Sequence, residues 1–381
     1  MADGAVQGLV HDKYAGARAA FEANLDSGAD VGASFCATVE GETVVDLWGG
    51  FADEARTRPW QRDTIVNVYS TTKTMTALTA LLLADRGELD FDAPVARYWP
   101  QFAAGGKEAV KVSHLMSHSA GLSGWKEPLV KEDLYDWDKV TALLAAQAPF
   151  WEPGTAPGYH GLTQGYLVGE VVRRITGKSL GTVFREEIAQ PLDADFHIGL
   201  PASEDARVAE LIAPPPAEAG LGGGPQSELQ ANMSDNPPLE VSETRTRAWR
   251  GAEIPAAGGT GNARSVAQIH AILANGGVAK GRRFLSEAGC RKALELQVEG
   301  QDLILGMPAR FGLGFGLAGG VTPLPNPNTI CWGGYGGSIA IIDMDARTSF
   351  AYVMNKMAPT TTGDMRGFGL AMAMWDALGV I

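Results

Sequence analysis

Two pairs of short apolar runs stand at opposite ends of this chain, and they constrain its fold more than any other feature. Near the N-terminus, Ala33–Val39 (ASFCATV) and Thr43–Gly50 (TVVDLWGG) flank Glu40-Gly41-Glu42. Near the C-terminus, Ser338–Met344 (SIAIIDM) and Thr348–Met354 (TSFAYVM) flank Asp345-Ala346-Arg347. Strand-like runs joined by three turn-forming residues predict β-hairpins. Between the two pairs the apolar spacing is helical, over Asp138–Ala148, Gly165–Ile175, Leu180–Gln190 and Ser265–Leu273. Helices are also predicted over His11–Leu25 and Arg366–Leu378. The expected fold class is α+β: an antiparallel sheet built from both chain ends, flanked by helices, with a mainly helical subdomain between. Residues 1–88 and 275–381 would form the discontinuous α/β part and 89–274 the helical part, with a site between them. The longest loop, Ala213–Pro238, holds too much Pro and Gly for regular structure. A loop of that length inside a compact protein points to a lid or site wall.

Composition bounds the function classes. The chain has 381 residues, 45% hydrophobic and 20% charged, enough for one large core or two subdomains. A net charge of −13 argues against nucleic acid or an anionic membrane as partner. No apolar run reaches membrane-spanning length. The first 25 residues carry neither a basic region nor an apolar core, so no secretory signal is expected. Cys36, Cys290 and Cys331 are odd in number and widely spaced. They point to a reduced, cytoplasmic protein without a disulfide framework.

The chemistry-bearing stretch is Ser70-Thr71-Thr72-Lys73. Met75, Leu78 and Leu82 follow at helical spacing, and Gly87 is a stop signal. Ser70 therefore sits at a helix N-terminus, with Lys73 on the same face one turn later. A serine hydroxyl needs a base to become a nucleophile. A lysine near the positive end of a helix dipole is biased toward its neutral form and suits that task. Ser-x-x-Lys is the nucleophile pattern of penicillin-binding proteins and serine β-lactamases. A second copy, Ser123-Gly124-Trp125-Lys126, lies in a Gly-rich loop and runs into Pro128, so no helix organises it.

Three other stretches bear on the motif. In Trp151–Glu170 a Pro-Gly turn leads to Tyr159 just before a helix. Near Ser70 and Lys73 this phenol would relay protons, its pKa lowered by ammonium neighbours; a packing role at a helix entry is the alternative. Ile330–Met344 (ICWGGYGGSIAIIDM) feeds glycines into a strand, where close approach and free N–H groups could hold an oxyanion. In Val112–Leu122, His114 and His118 are spaced i, i+4, but no His-Glu-x-x-His pattern or third ligand accompanies them. A turn before the active-site wall fits better than a metal site. Gly177-Lys178-Ser179-Leu180-Gly181 has the letters of a nucleophile elbow, yet it follows a helix instead of a strand. Gly177 reads as a helix C-cap and Ser179 as the next N-cap.

With these motifs in order, the chain resembles the serine β-lactamase-related family over nearly its whole length, the family VIII carboxylesterase branch in particular. Tyr159-His160-Gly161 falls where class C β-lactamases carry Tyr-x-Asn, and Trp332-Gly333-Gly334 where they carry Lys-Thr-Gly. The resemblance implies a serine carboxylesterase of the β-lactamase and penicillin-binding-protein fold. Ser70 would attack the ester carbonyl, and Lys73 with Tyr159 would move its proton. The Ser70 and Tyr335 N–H groups would form the oxyanion hole. Trp332, Gly333 and Gly334 would bind substrate, with Ala213–Pro238 as cover. Gly161 and Trp332, standing for asparagine and lysine, favour neutral short-chain acyl esters over anionic antibiotics. The partner would be a small-molecule ester, with no metal or organic cofactor. A β-lactamase, D-Ala-D-Ala peptidase or acyltransferase of the same fold is the alternative, and a non-catalytic scaffold a further one. Nothing in the sequence bears on oligomeric state.

Overall fold

In the computed structural model, residues 4–215, 226–320, 322 and 324–381 are described. Nine strands form one sheet: β1 Gln7–Val10, β2 Gly32–Val39, β3 Glu42–Gly50, β4 Val298–Gln301, β5 Pro308–Phe311, β6 Gly316–Leu317, β7 Thr329–Gly333, β8 Ile339–Asp343 and β9 Thr348–Met354. Their order is β1-β3-β2-β9-β8-β7-β6-β5-β4, antiparallel at every step. Both expected hairpins, β2–β3 and β8–β9, are present. The chain ends meet where β2 pairs with β9, from Val39 opposite Thr348 to Ala33 opposite Met354.

The helices that position the sheet and the site are α1 Ala15–Asp26, α2 Thr72–Asp85, α3 Val112–Met116, α4 Trp137–Ala146, α5 Thr163–Thr176, α6 Leu180–Phe184, α7 Glu228–Asp235, α8 Ala263–Ala274 and α9 Met365–Leu378. Successive strand residues point to opposite faces, and β9 shows what covers each. Ser349 Oγ donates to the Ala267 carbonyl of α8, while the Phe350 ring meets Trp375 of α9 at 5.5 Å. Helices α1 and α9 thus share one face and α8 takes the other. Every residue of β9 is buried, as a strand covered on both faces requires. Helix α2 is buried from Thr72 to Leu83 and packs on α5 and α6. An apolar run on all sides suits such a central helix.

Three expectations need correction. Helix α8 falls inside the stretch 89–274 assigned to the helical part, yet it packs on β2, β8 and β9. Sequence spacing reports that a face is apolar, not which element will cover it. The stretch Leu180–Gln190 is not one α-helix: α6 ends at Phe184, and a π turn over Arg185–Ala189 and a 3-10 turn through Pro191 follow. The loop Ala213–Pro238 contains a helix after all, α7. Its start is a capping box: Ser227 Oγ accepts from Gln230 N–H, and the Gln230 side chain accepts from Ser227 N–H at 2.8 Å. Averaging Pro and Gly over 26 residues concealed that local signal. Residues 216–225 of the loop lie outside the described residues.

Candidate active site

Ser70 sits on a tight turn. The short strand Val66–Asn67 leads into a 3-10 turn, Tyr69–Thr71, and α2 starts at Thr72. Tyr69 has φ +43°, a left-handed conformation costing roughly 1–3 kcal/mol for a non-glycine residue. It is held there by its N–H to Asn67 Oδ1 (3.1 Å) and by edge packing of its ring on Trp249 and Tyr335. The strain serves to place Ser70 at the head of α2, mostly buried.

Lys73 is wholly buried one turn on. Its Nζ has four oxygen neighbours: Gly161 O at 2.7 Å, Ala256 O at 2.9 Å, and Ser70 Oγ and Tyr159 OH at 3.0 Å each. Carbonyl oxygens only accept. A neutral amine has two N–H groups and one lone pair, so giving both N–H groups to the carbonyls turns the lone pair toward the hydroxyls. Burial pulls the Lys73 pKa well below the usual lysine range, which favours that neutral form. The loop carrying Ala256 is tied to α2 by Thr76 Oγ1 to Pro255 O (2.6 Å) and Gly259 N–H to Thr72 Oγ1 (2.9 Å). Neither carbonyl was foreseeable, because backbone acceptors leave no mark in a motif.

Tyr159 lies in the irregular segment before α5, and its hydroxyl is hydrogen-bonded to Ser70 Oγ. One expectation about it fails. Burial pushes the phenol pKa up, and the nearby Asp302 carboxylate adds to the rise. Desolvation is the largest effect on it, so Tyr159 remains a protonated phenol.

Trp332, on β7, stacks on the His118 ring at 5.1 Å and 17° and contacts Phe311 at 5.3 Å and Tyr159 at 6.0 Å. His118 follows α3 with φ +59°. Its Nδ1 accepts from His160 N–H, so its proton is on Nε2. Burial holds both imidazoles well below the usual histidine range, His160 at about 4, and therefore neutral. Trp332, Phe311, Leu305, Met307, Leu317 and Tyr159 line one cavity. Gly333 lines the same cavity, whereas Gly334 backs the nucleophile turn. A Cβ on Gly334 would stand 2.2 Å from Val68 O, so only glycine lets β7 approach this closely. Ser338 Oγ, donating to Val68 O at 2.9 Å and 3.0 Å from Thr71 Oγ1, makes the same join. Among the described residues, neither the Ser70 nor the Tyr335 N–H donates to another protein group.

The beta-lactamase family profile matches residues 17–371. This chain belongs to the β-lactamase family. Within the family it is 36% identical to the esterase/beta-lactamase LipL of Mycobacterium tuberculosis, over 88% of this chain and 80% of that one. A crystal structure of a family VIII carboxylesterase superposes with a TM-score of 0.93 at 45% identity, covering 98% of this chain and all of the other. A penicillin-binding protein homologue from Caulobacter crescentus gives 0.92 at 39% identity, covering 98% and 100%.

Against the Tyr-x-Asn pattern of class C members of the β-lactamase family, Gly161 has a physical counterpart. A Cβ there would come within 2.5 Å of Met233 Sδ on α7. The space a side chain at 161 would need is filled by the thioether of the overlying helix. Leu229 and Met233 of α7 pack on the cluster of Tyr159, Val298, Ile304, Phe311 and Trp332. The other motif-like stretches separate from this β-lactamase-family site. Lys126 is exposed with its ammonium over the Phe150 ring, and Ser123 is buried, so they form no dyad. Gly177 is the left-handed cap of α5, and Ser179 caps α6 while donating to Glu253 at 2.6 Å. His114 and His118 do not share a helix face, since α3 ends at Met116. Sequence reasoning named the His118 turn but missed the imidazole as a platform for Trp332. It missed Asp302, Phe311 and Met233 altogether.

Proposed function

We propose that this protein is a serine carboxylesterase acting on neutral, short-chain acyl esters. The observation that carries the reading is the Lys73 amine, with two carbonyls taking its N–H groups and Ser70 Oγ and Tyr159 OH facing its remaining position. Ser70 Oγ attacks the ester carbonyl and its proton passes to Lys73. The Ser70 and Tyr335 N–H groups receive the negative charge that develops on the carbonyl oxygen. The C–O bond to the alcohol breaks, and the Tyr159 phenol delivers a proton to that oxygen while taking one from Lys73. Water then enters where the alcohol left and adds to the acyl carbon while its proton passes through Tyr159 to Lys73; the bond to Ser70 Oγ breaks, Lys73 returns the proton to Ser70 Oγ, and the acid leaves. Lys73 is the principal base and Tyr159, held protonated, is the relay.

The apolar wall of Trp332 and Phe311, with Met233 beside Gly161, supports a neutral substrate over an anionic one. The names of the esterase-like relatives point the same way. We place the protein in the cytoplasm because Cys36, Cys290 and Cys331 are all free and buried; no helix among the described residues is long and apolar enough to cross a membrane. Ser70→Ala is the test: it should remove turnover of p-nitrophenyl butyrate to background, and a variant with full activity refutes the reading. The resemblance to LipL, an esterase/beta-lactamase by name, also favours a second reading, β-lactam hydrolysis. Nitrocefin turnover rivalling ester turnover would promote it.

A further inference from the structure

The buried carboxylate of Asp302 connects parts of the site that no motif links. Asp302 follows β4 and is 1% exposed. Its Oδ1 accepts three N–H groups: Tyr159 at 3.1 Å, Ile304 at 2.8 Å and Leu305 at 2.8 Å. The first belongs to the proposed proton relay. The other two belong to the turn between β4 and β5, whose Leu305 and Met307 line the cavity. The same turn is joined to the Tyr159 segment by Leu303 N–H to Pro157 O at 2.9 Å. Its Ile304 carbonyl also accepts from Gln230 Nε2 of α7 at 2.7 Å. Relay, cavity wall and overlying helix therefore converge on one side chain.

We propose that Asp302 is a positioning residue for ester turnover: its carboxylate sets the Tyr159 phenol relative to Ser70 and Lys73 and fixes the cavity wall in register with it. This rests on the esterase reading above. A loop could be capped by any short acceptor, so the charge needs its own explanation. Burial of a carboxylate is costly: desolvation raises the Asp302 pKa, and the three N–H donors on Oδ1 counter only part of that, while Oδ2 has no hydrogen-bond partner among the described residues. The charge raises the barrier to ionising the phenol beside it, which keeps Tyr159 able to donate. The titratable groups facing Tyr159 are Lys73 from α2, His118 after α3, the adjacent His160 and Asp302. Both imidazoles are held neutral by burial, which leaves Asp302 as the carboxylate of this set, its own pKa raised by the same burial and lowered by its three N–H donors.

The test uses the full-length protein with p-nitrophenyl acetate, butyrate and hexanoate. D302N keeps an acceptor oxygen and removes the charge; D302A removes both. In D302N, kcat should fall by ~10-fold or more with KM changed far less, as misplacement of a reacting group costs rate before binding. The alkaline limb of its kcat profile should move to lower pH, because the phenol ionises more easily without the neighbouring anion. D302A, if it folds, should also lose discrimination among the three acyl lengths; if it does not fold, D302N alone decides. A D302N enzyme whose alkaline limb stays in place overturns the role, whatever its melting temperature. A wild type whose turnover survives Ser70→Ala overturns the esterase reading itself, and the Asp302 role with it.

Discussion

Replacing Lys73 by Met removes the amine while keeping an unbranched apolar chain, and it tests the protonation state on which the chemistry depends. Loss of a general base costs about 10²- to 10⁴-fold in rate, which is roughly 2.7–5.4 kcal/mol of barrier. The sharper signature is in stability. Burial sets the folded pKa of Lys73 well below its ordinary value. Below the folded pKa both states carry the proton. Between the folded pKa and about 10.4, only the unfolded chain does. There the unfolded state binds more protons, so wild-type stability rises with pH, by about 1.4 kcal/mol per unit. Above that window the slope ends; as pH falls through the folded pKa, the contribution is lost. A chain of 381 residues has an unfolding entropy of about 0.8 kcal/mol/K, so the slope is about 2 °C per pH unit. K73M lacks the group and the slope. Thermal unfolding of both proteins in steps from pH 7 to 10 should show the wild type gaining on K73M by that amount within the window. A gap that stays constant or narrows means the buried amine is charged, and Lys73 cannot then be the base.

Three further perturbations follow from the geometry. Y159F should lower kcat by about 10²-fold or more while Ser70 still labels with a fluorophosphonate, because the relay is lost and the nucleophile and its amine remain; unchanged kcat would remove Tyr159 from the reaction. G161N should reduce butyrate turnover by driving a side chain into Met233, and adding M233A should restore part of it; strictly additive effects would show that the two positions do not compete for space. R366A breaks a buried pair with Asp30 (2.8 Å) and releases the Gly336 carbonyl two peptides beyond the proposed oxyanion donor, so the melting temperature should drop by about 4–6 °C, from roughly 3–5 kcal/mol. A shift under 1 °C would refute that.

How much of this was legible in the sequence follows from the range of each interaction. The β2–β3 and β8–β9 hairpins and the start of α2 rest on contacts within a few residues, so local patterns reported them. That Ser70, Lys73 and Tyr159 meet, as their hydrogen bonds show, was legible because the nucleophile pattern calls for particular residue types in order. The α7 capping box was legible too, but only at the scale of four residues, and a loop-wide count of Pro and Gly hid it. Asp302 and Met233 carried no signal, since Asp or Met alone specifies nothing.

By itself the sequence determined that both chain ends build one antiparallel sheet, and that a serine stands at the head of a helix with a lysine one turn later. Only the tertiary structure decided the state of that lysine. The two carbonyls that receive its N–H groups come from Gly161 and Ala256, 88 and 183 residues away along the chain. The burial that favours a neutral amine exists only once α5 and the loop before Thr260 close around it. It also decided the state of Tyr159, and against expectation, because a desolvated phenol holds its proton unless a cation faces it. Sequence lists the titratable groups; the dielectric around them and the direction of their partners are properties of the packed chain.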